Sequence, residues 1–251
     1  MLVEAFDSAR IRAILLDVEG TTTPIDFVFK TLFPFASAYA EDFLRRNVRD
    51  PEVAEIIEQL LQTRRAETAD QAPGCADTTS EERLSLAARY VRSLIESDSK
   101  ITPLKTLQGK IWKEGFERGE LKGEVYADVR PAFARWSEQG RRTAIFSSGS
   151  VLAQKLLFSH STAGDLSPFL SAYFDTTSGP KREAEAYQKI AASIGLQAPA
   201  ILFVSDVAEE LDAASSTGMK TAHSLRPGIS PLKDGRHRAV RTFNEIFPCD
   251  Q

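Results

Sequence analysis

The spacing of three short apolar runs constrains this chain more than any other feature. Ala13-Ile14-Leu15-Leu16 ends at Asp17, Thr143-Ala144-Ile145-Phe146 ends at Ser147-Ser148-Gly149, and Ala200-Ile201-Leu202-Phe203-Val204 ends at Ser205-Asp206. None of the runs alternates with polar residues, so each fits a strand covered on both faces, as in a parallel sheet. Two weaker strands are expected at 171–174 and 220–222. Helical spacing fills the gaps at 151–158, 182–194 and 207–216. Alternating strand and helix predicts an α/β fold, a doubly wound parallel sheet with a Rossmann-like core. The first and second runs, however, lie well over a hundred residues apart. A crossover between parallel strands needs only a dozen or so. The intervening residues read as helices at 32–46, 52–61, 82–95 and 104–118, the third opened by a capping box, Thr79-x-x-Glu82. The surplus therefore predicts an inserted all-helical domain over residues 24–125, with residues 1–23 and 126–251 forming the core domain. The polar stretch 66–78, with Pro73 and Gly74, is expected to be a loop.

Composition removes several function classes. A chain of 251 residues, 42% hydrophobic, is long enough to bury a core without disulfides or a structural metal. The formal charge of −4 excludes a protein built to wrap nucleic acid or an anionic membrane. No run approaches the ~18 apolar residues of a membrane helix. The two cysteines, Cys75 and Cys249, form no CxxC pair, which excludes a disulfide framework and a cysteine zinc site and suits a reducing cytoplasm. Glu4 and Asp7 and the lack of an apolar run argue against a signal peptide. Nothing in the pattern demands an oligomer, so a monomer is expected.

In an open parallel sheet, ligands bind at the carboxyl ends of the strands. Asp17 and Glu19 stand there, with Ser147-Ser148-Gly149-Ser150, and Asp206 with Glu209 and Glu210. Carboxylates converging on one edge repel unless a cation lies between them, and Mg²⁺ suits such oxygen ligands. Hydroxyl residues and Gly entering the helix at 151 suit an oxyanion. Singly, each has an ordinary reading. Asp17 reads as a turn residue, Ser147 and Ser148 as caps, Asp206 as an N-cap with Glu209 as its box partner, and Lys181 as a solvated lysine. His160, His223 and His237 lack metal-ligand spacing and read as surface residues. The coincidence of the other signals at one sheet edge is what points to a phosphate enzyme.

Asp17-Val18-Glu19-Gly20-Thr21-Thr22-Thr23 resembles the first motif, Asp-x-Asp-x-Thr, of the haloacid dehalogenase superfamily, with Glu19 in place of the second Asp. Phe146-Ser147-Ser148-Gly149-Ser150 is similar to its second motif, Lys181 to its third and Ser205-Asp206 to its fourth. More narrowly, the segment from Leu15 to Ile25, Leu107-Gln108-Gly109-Lys110-Ile111-Trp112, Gly119-Glu120-Leu121-Lys122-Gly123 and the second motif resemble the enolase-phosphatases of methionine salvage. The likeness runs from Ile11 to about Phe247, and Glu19 is the form this subfamily carries.

The resemblance implies a haloacid dehalogenase-like core with a helical cap over the strand ends and one Mg²⁺ per subunit. It implies a small phosphorylated diketone as substrate, 2,3-diketo-5-methylthiopentyl-1-phosphate, enolised and then dephosphorylated. Asp17 would be the nucleophile and a metal ligand, Glu19 a metal ligand and general acid–base, and Asp206 a metal ligand. Ser147 and Ser148 would bind the phosphoryl group and Lys181 its charge. An aspartyl-phosphate divides one hard hydrolysis into two displacements. Glu19, two residues beyond Asp17 on one side of an extended segment, would reach the leaving oxygen, provided its pKa is raised. Ile111, Trp112 and Phe116 are candidates for the methylthio tail, against a competing reading as core of the insert. Two alternatives compete. One is a phosphatase of the same superfamily acting on another small phosphoester. The other is a signalling receiver module, which is about half this length and has no hundred-residue insert.

Overall fold

The computed structural model describes residues 6, 9–67, 79–232 and 235–248. The expectations for Glu4, Asp7, Cys75 and Cys249, and for 68–78 of the expected loop, fall outside those residues. In chain order, β1 (Ala13–Leu16) is followed by a short α1 (Ile25–Phe27) and a π-helical stretch, Val28–Leu32. Next come α2 (Phe33–Asn47), α3 (Pro51–Glu67), α4 (Ser80–Glu96) and α5 (Thr102–Glu117). The remainder is α6 (Val129–Glu138), β2 (Arg142–Phe146), α7 (Val151–Ser159), β3 (Leu170–Phe174), α8 (Ala184–Ile194), β4 (Ile201–Ser205), α9 (Ala208–Ser216), β5 (Lys220–Ser224) and β6 (Arg238–Val240). The chain divides into two units, Met1–Phe27 with Lys122–Gln251, and Val28–Leu121.

The first unit holds six strands in the order β3-β2-β1-β4-β5-β6, every pair parallel. β1 is central, with Ala13 paired to both Arg142 and Ile201. That position explains its uninterrupted apolar run: all four residues are fully buried. Ala13 and Leu15 face a cluster that includes Phe146, Tyr187, Ile190, Phe203 and Leu211, drawn from β2, β4, α8 and α9. Ile14 and Leu16 alternate to the other face. An aromatic group of Phe133, Trp136, Phe158 and Phe243 packs ring to ring at centroid distances of 5.4–6.3 Å. Full burial of one such side chain is worth about 1.5–3 kcal/mol, so these clusters dominate the stability of the unit. β6 and α6 are additions to the elements expected from sequence. The strand order reverses direction between β1 and β4, the switch point where a doubly wound sheet opens a crevice at its carboxyl edge.

The second unit is helical throughout its described elements, with α2 against α4 and α5, and α3 against α4 and α5. The capping box at Thr79 is formed, with Glu82 N–H donating to Thr79 Oγ1 and Thr79 N–H to Glu82 Oε2. Trp112, Ile111 and Phe116 are buried within this unit, and Trp112 Nε1 donates to Leu32 O at 2.8 Å. They belong to its core. The π-helical turn has a local cause: Pro34, in the first turn of α2, cannot donate to the carbonyl four residues back, and its ring crowds that carbonyl.

Candidate active site

Asp17 leaves β1 at the switch point, with its N–H donating to Val204 O of β4 at 3.0 Å and only 3% of the residue exposed. The chain then folds into a tight turn. Thr21, Thr22 and Thr23 all send their N–H groups to Val18 O at 2.9–3.2 Å, and Gly20 N–H returns to Thr23 O at 2.8 Å. The extended segment expected between Asp17 and Glu19 is thus replaced by a turn. Glu19 instead points toward the end of β2, where Ser147 Oγ donates to Glu19 Oε2 at 3.4 Å. Gly20 has φ of +69°, a conformation L side chains resist, and a Cβ there would lie 2.4 Å from Asp206 Oδ2. The turn and the Asp206 carboxylate are therefore in contact.

Asp17 Oδ1 accepts from Val18 N–H at 2.8 Å and from Lys181 Nζ at 2.6 Å, while Oδ2 accepts from Ser205 Oγ at 3.2 Å. Lys181 also reaches Glu210 Oε2 at 2.7 Å, so two of its three N–H bonds are spoken for. Its backbone is fixed by Tyr187, whose hydroxyl donates to Lys181 O at 2.6 Å. Tyr187 is itself wedged edge-on against Phe146 and Phe203. Burial opposes the lysine's charge, but Asp17 and Glu210 outweigh it and hold the ammonium protonated. Glu210 was legible in the sequence only as an acidic residue near a strand end. Its contact with Lys181 follows from its place on α9, one turn beyond Asp206.

Three carboxyls at this edge beside Asp17, those of Glu19, Asp206 and Glu210, are pushed upward. Burial, then the charge of Asp17, raises Asp206 to about 6 and Glu210 to about 7. The same two causes raise Glu19, the condition a general acid requires. Four carboxyl groups thus face one lysine. Among the described residues, no three His, Cys, Asp or Glu side chains form a ready-made metal cluster. Mg²⁺ does not need one, since it takes one or two carboxylates and keeps several waters. The excess of oxygen donors over positive charge fits such an ion.

At the end of β2, Ser147 is buried and its Oγ also accepts from Gly149 N–H at 3.0 Å. Ser148 is exposed. The start of α7 offers fewer free donors than expected, because Ser150 Oγ takes Ala153 N–H and Asp175 Oδ2 takes Val151 N–H, both at 3.3 Å. Asp206 does not cap α9; Val207 holds that position without a side-chain bond. Two of the three histidines expected at the surface are buried. His223 meets Asp206 O, and His237 lies between Thr221 and Asp212.

Residues 11–218 match the family model described as haloacid dehalogenase-like hydrolase. The chain is 50% identical over 236 residues to "Enolase-phosphatase E1" of Synechococcus elongatus, covering 94% of this chain and 98% of the relative. It is 48% identical over 225 residues to the protein of the same name from Drosophila mojavensis, covering 88% of each. Among solved structures it is similar to the UTR4 protein of Saccharomyces cerevisiae, with a TM-score of 0.75, 34% identity, and 92% and 98% of the two chains covered.

Proposed function

This chain belongs to the haloacid dehalogenase-like hydrolases, and from that membership we propose that it acts as an enolase-phosphatase of methionine salvage. The reaction converts 2,3-diketo-5-methylthiopentyl-1-phosphate to 1,2-dihydroxy-3-keto-5-methylthiopentene and phosphate. The observation that carries the phosphatase half is Lys181 Nζ at 2.6 Å from Asp17 Oδ1, a buried carboxylate and cation at the switch point of the sheet. The near full-length likeness to enolase-phosphatases supports the enolase half.

Asp17 is the nucleophile, with Oδ2 the freer oxygen, because Oδ1 already carries Val18 N–H and Lys181. Attack on phosphorus would form an aspartyl-phosphate that water then cleaves. Lys181 turns its remaining N–H to a phosphate oxygen, and the exposed Ser148 hydroxyl supplies a neutral hydrogen bond. Ser147, expected to bind the phosphoryl group, is buried and donates to Glu19 Oε2 instead, so in this reading it orients the carboxyl that protonates the leaving oxygen. Asp17 and Asp206 would hold Mg²⁺ with waters. The ion would supply charge neutralisation for the phosphoryl group and Lewis acidity for the enolate. Glu19, raised in pKa by burial and by Asp17, would serve both as a further oxygen ligand and as the group that handles the proton. A cytoplasmic setting and a single-subunit state belong to this reading, with cell fractionation and light scattering as their tests. The deciding experiment is phosphate release from the diketone phosphate beside a panel of small phosphoesters. Equal turnover of the whole panel would replace this reading with that of a general phosphatase.

A further inference from the structure

The turn after Asp17 satisfies its own N–H groups on Val18 O and Thr23 O, which leaves three consecutive carbonyls outside it. Each is taken by a different donor. Ser224 Oγ, at the end of β5, donates to Gly20 O at 3.0 Å. Arg226 Nε donates to Thr21 O at 3.0 Å. Tyr126 N–H, just before α6, donates to Thr22 O at 3.0 Å. The middle donor is the unusual one. Arg226 is 4% exposed, and its Nη1 pairs with Asp128 Oδ2 at 2.8 Å and bonds Arg241 O at 3.2 Å. Its guanidinium lies 4.3 Å from the Tyr126 ring centre and 4.5 Å from that of Phe243. Its Nη2 is buried without a hydrogen-bond partner.

A buried arginine with an unsatisfied nitrogen is a poor way to gain stability. Desolvation opposes it, and apolar replacements of buried ion pairs are often as stable or more so. What the guanidinium does provide is a rigid fork, with Nε on the turn and Nη1 on Asp128. Pinned there, the turn fixes Glu19 relative to Asp17 and keeps Gly20 against Asp206. Displacement of reacting groups by about 1 Å costs on the order of a hundredfold in rate.

We propose that Arg226 is a positioning residue for phosphoryl transfer, acting through the Thr21 carbonyl to hold the Val18–Thr23 turn in register with Asp17 and Asp206. The inference rests on the phosphatase reading above, which supplies the reaction it tunes. Lysine cannot replace it, because one ammonium cannot span Thr21 O and Asp128 with the geometry of the fork.

The test is the double variant Asp128→Asn/Arg226→Met, which leaves no carboxylate stranded and keeps an apolar filler between the two rings. Ile194→Val serves as a destabilised control; its carbonyl accepts from Arg142 at the amino end of β2, away from the site. Phosphate release is measured on the diketone phosphate and on p-nitrophenyl phosphate, with amide hydrogen exchange followed in metal-free, substrate-free protein. The expected result is a kcat at least tenfold lower on both esters, with KM within threefold of the parent. Exchange of the Thr21–Thr23 amides should be at least tenfold faster, while the β1 and β4 amides keep their parent rates. Unchanged kcat overturns the proposal, whatever the exchange shows. So does a lower kcat with unchanged turn exchange, or faster exchange spread evenly over the sheet. Inability of the parent to use the diketone phosphate would sink the enolase-phosphatase reading, while the variant-to-parent ratio on p-nitrophenyl phosphate and the exchange data would still decide the role of Arg226.

Discussion

Gly20 and Asp206 touch: a single methyl on the glycine would stand 2.4 Å from the carboxylate oxygen Oδ2. The nucleophile turn and the end of β4 thus share one fixed separation, with no room for a side chain between them. Gly20→Ala should push Asp206 away and force alanine into a left-handed conformation. We expect a stability loss of about 1–2 kcal/mol from the backbone alone. Mg²⁺ affinity should also fall at least tenfold, read by calorimetric titration. Parental Mg²⁺ affinity in the variant would remove Asp206 from the metal site.

Asp17→Asn keeps size and shape but gives a poor nucleophile, so phosphate release should fall at least a thousandfold, a barrier increase of about 4 kcal/mol. In the proposed mechanism Asp17 serves enolisation only by helping to hold the metal, which saturating Mg²⁺ keeps in place. The variant should therefore convert the diketone to the conjugated enol phosphate and stall, with near-ultraviolet absorbance rising while no phosphate appears. Stopped-flow absorbance beside a phosphate assay at saturating Mg²⁺ reads both steps. A variant that keeps a tenth of the phosphate release would remove Asp17 from its role.

Lys181→Ala should cost more than Ser148→Ala, because charge-assisted hydrogen bonds are roughly twice as strong as neutral ones. We expect at least a hundredfold loss for the lysine and about tenfold for the serine, with unchanged circular dichroism. Tyr187→Phe should show a smaller version of the lysine effect, because it frees the Lys181 carbonyl without touching the ammonium. Equal rates in all three variants and the parent would return these residues to structural roles.

The site also sets a pH dependence. Asp206 rises from its ordinary 3.8 to about 6, and Glu210 from 4.5 to about 7. Each folded value lies above the unfolded one, so the contribution to stability is full at pH below the unfolded values. It is lost as pH climbs through 6 and 7. The part of this loss that falls between pH 5.5 and pH 8 amounts, after discounting for solvent screening, to about 2 kcal/mol, or roughly 4–8 °C in Tm for a chain of this size. EDTA-treated protein should melt lower at pH 8 than at pH 5.5 by that margin, and Mg²⁺ should restore more at pH 8. Melting curves with and without Mg²⁺ check both, and a flat pH profile would mean that the carboxyls do not crowd as described.

The sequence discloses those parts of the site that local pattern controls. Asp17, Ser147 and Asp206 stand where fully apolar runs stop, and such runs report a buried strand whatever lies around them. Glu210 and Tyr187 are different, because their partners, Lys181 Nζ and Lys181 O, are brought near only by the packing of α8 and α9 on the sheet. Arg226 meets Thr21 across 205 positions. No periodicity marks such a pair. β6 escapes because it is three residues long with one of them buried. α6 did carry a signal: Val129, Ala132, Phe133 and Trp136 are all fully buried and repeat at helical spacing. His223 and His237 lie buried against the sequence pattern because burial of a histidine depends on partners, Asp206 O and Asp212, that spacing cannot reveal.

The central place of β1 has a consequence for synthesis. Its two hydrogen-bonded neighbours, β2 and β4, begin at Arg142 and Ile201, so the first strand leaves the ribosome long before either exists. The helical unit, continuous from Val28 to Leu121, is complete by then and can fold on contacts close in sequence. The nascent chain thus carries a finished bundle behind an unpaired apolar tetrapeptide. The last staple on the nucleophile turn, Arg226, arrives only when about nine tenths of the protein has been made. A chain cut between Asp17 and Arg226 would keep the carboxylate at the end of β1 but lack the guanidinium that bonds Thr21 O.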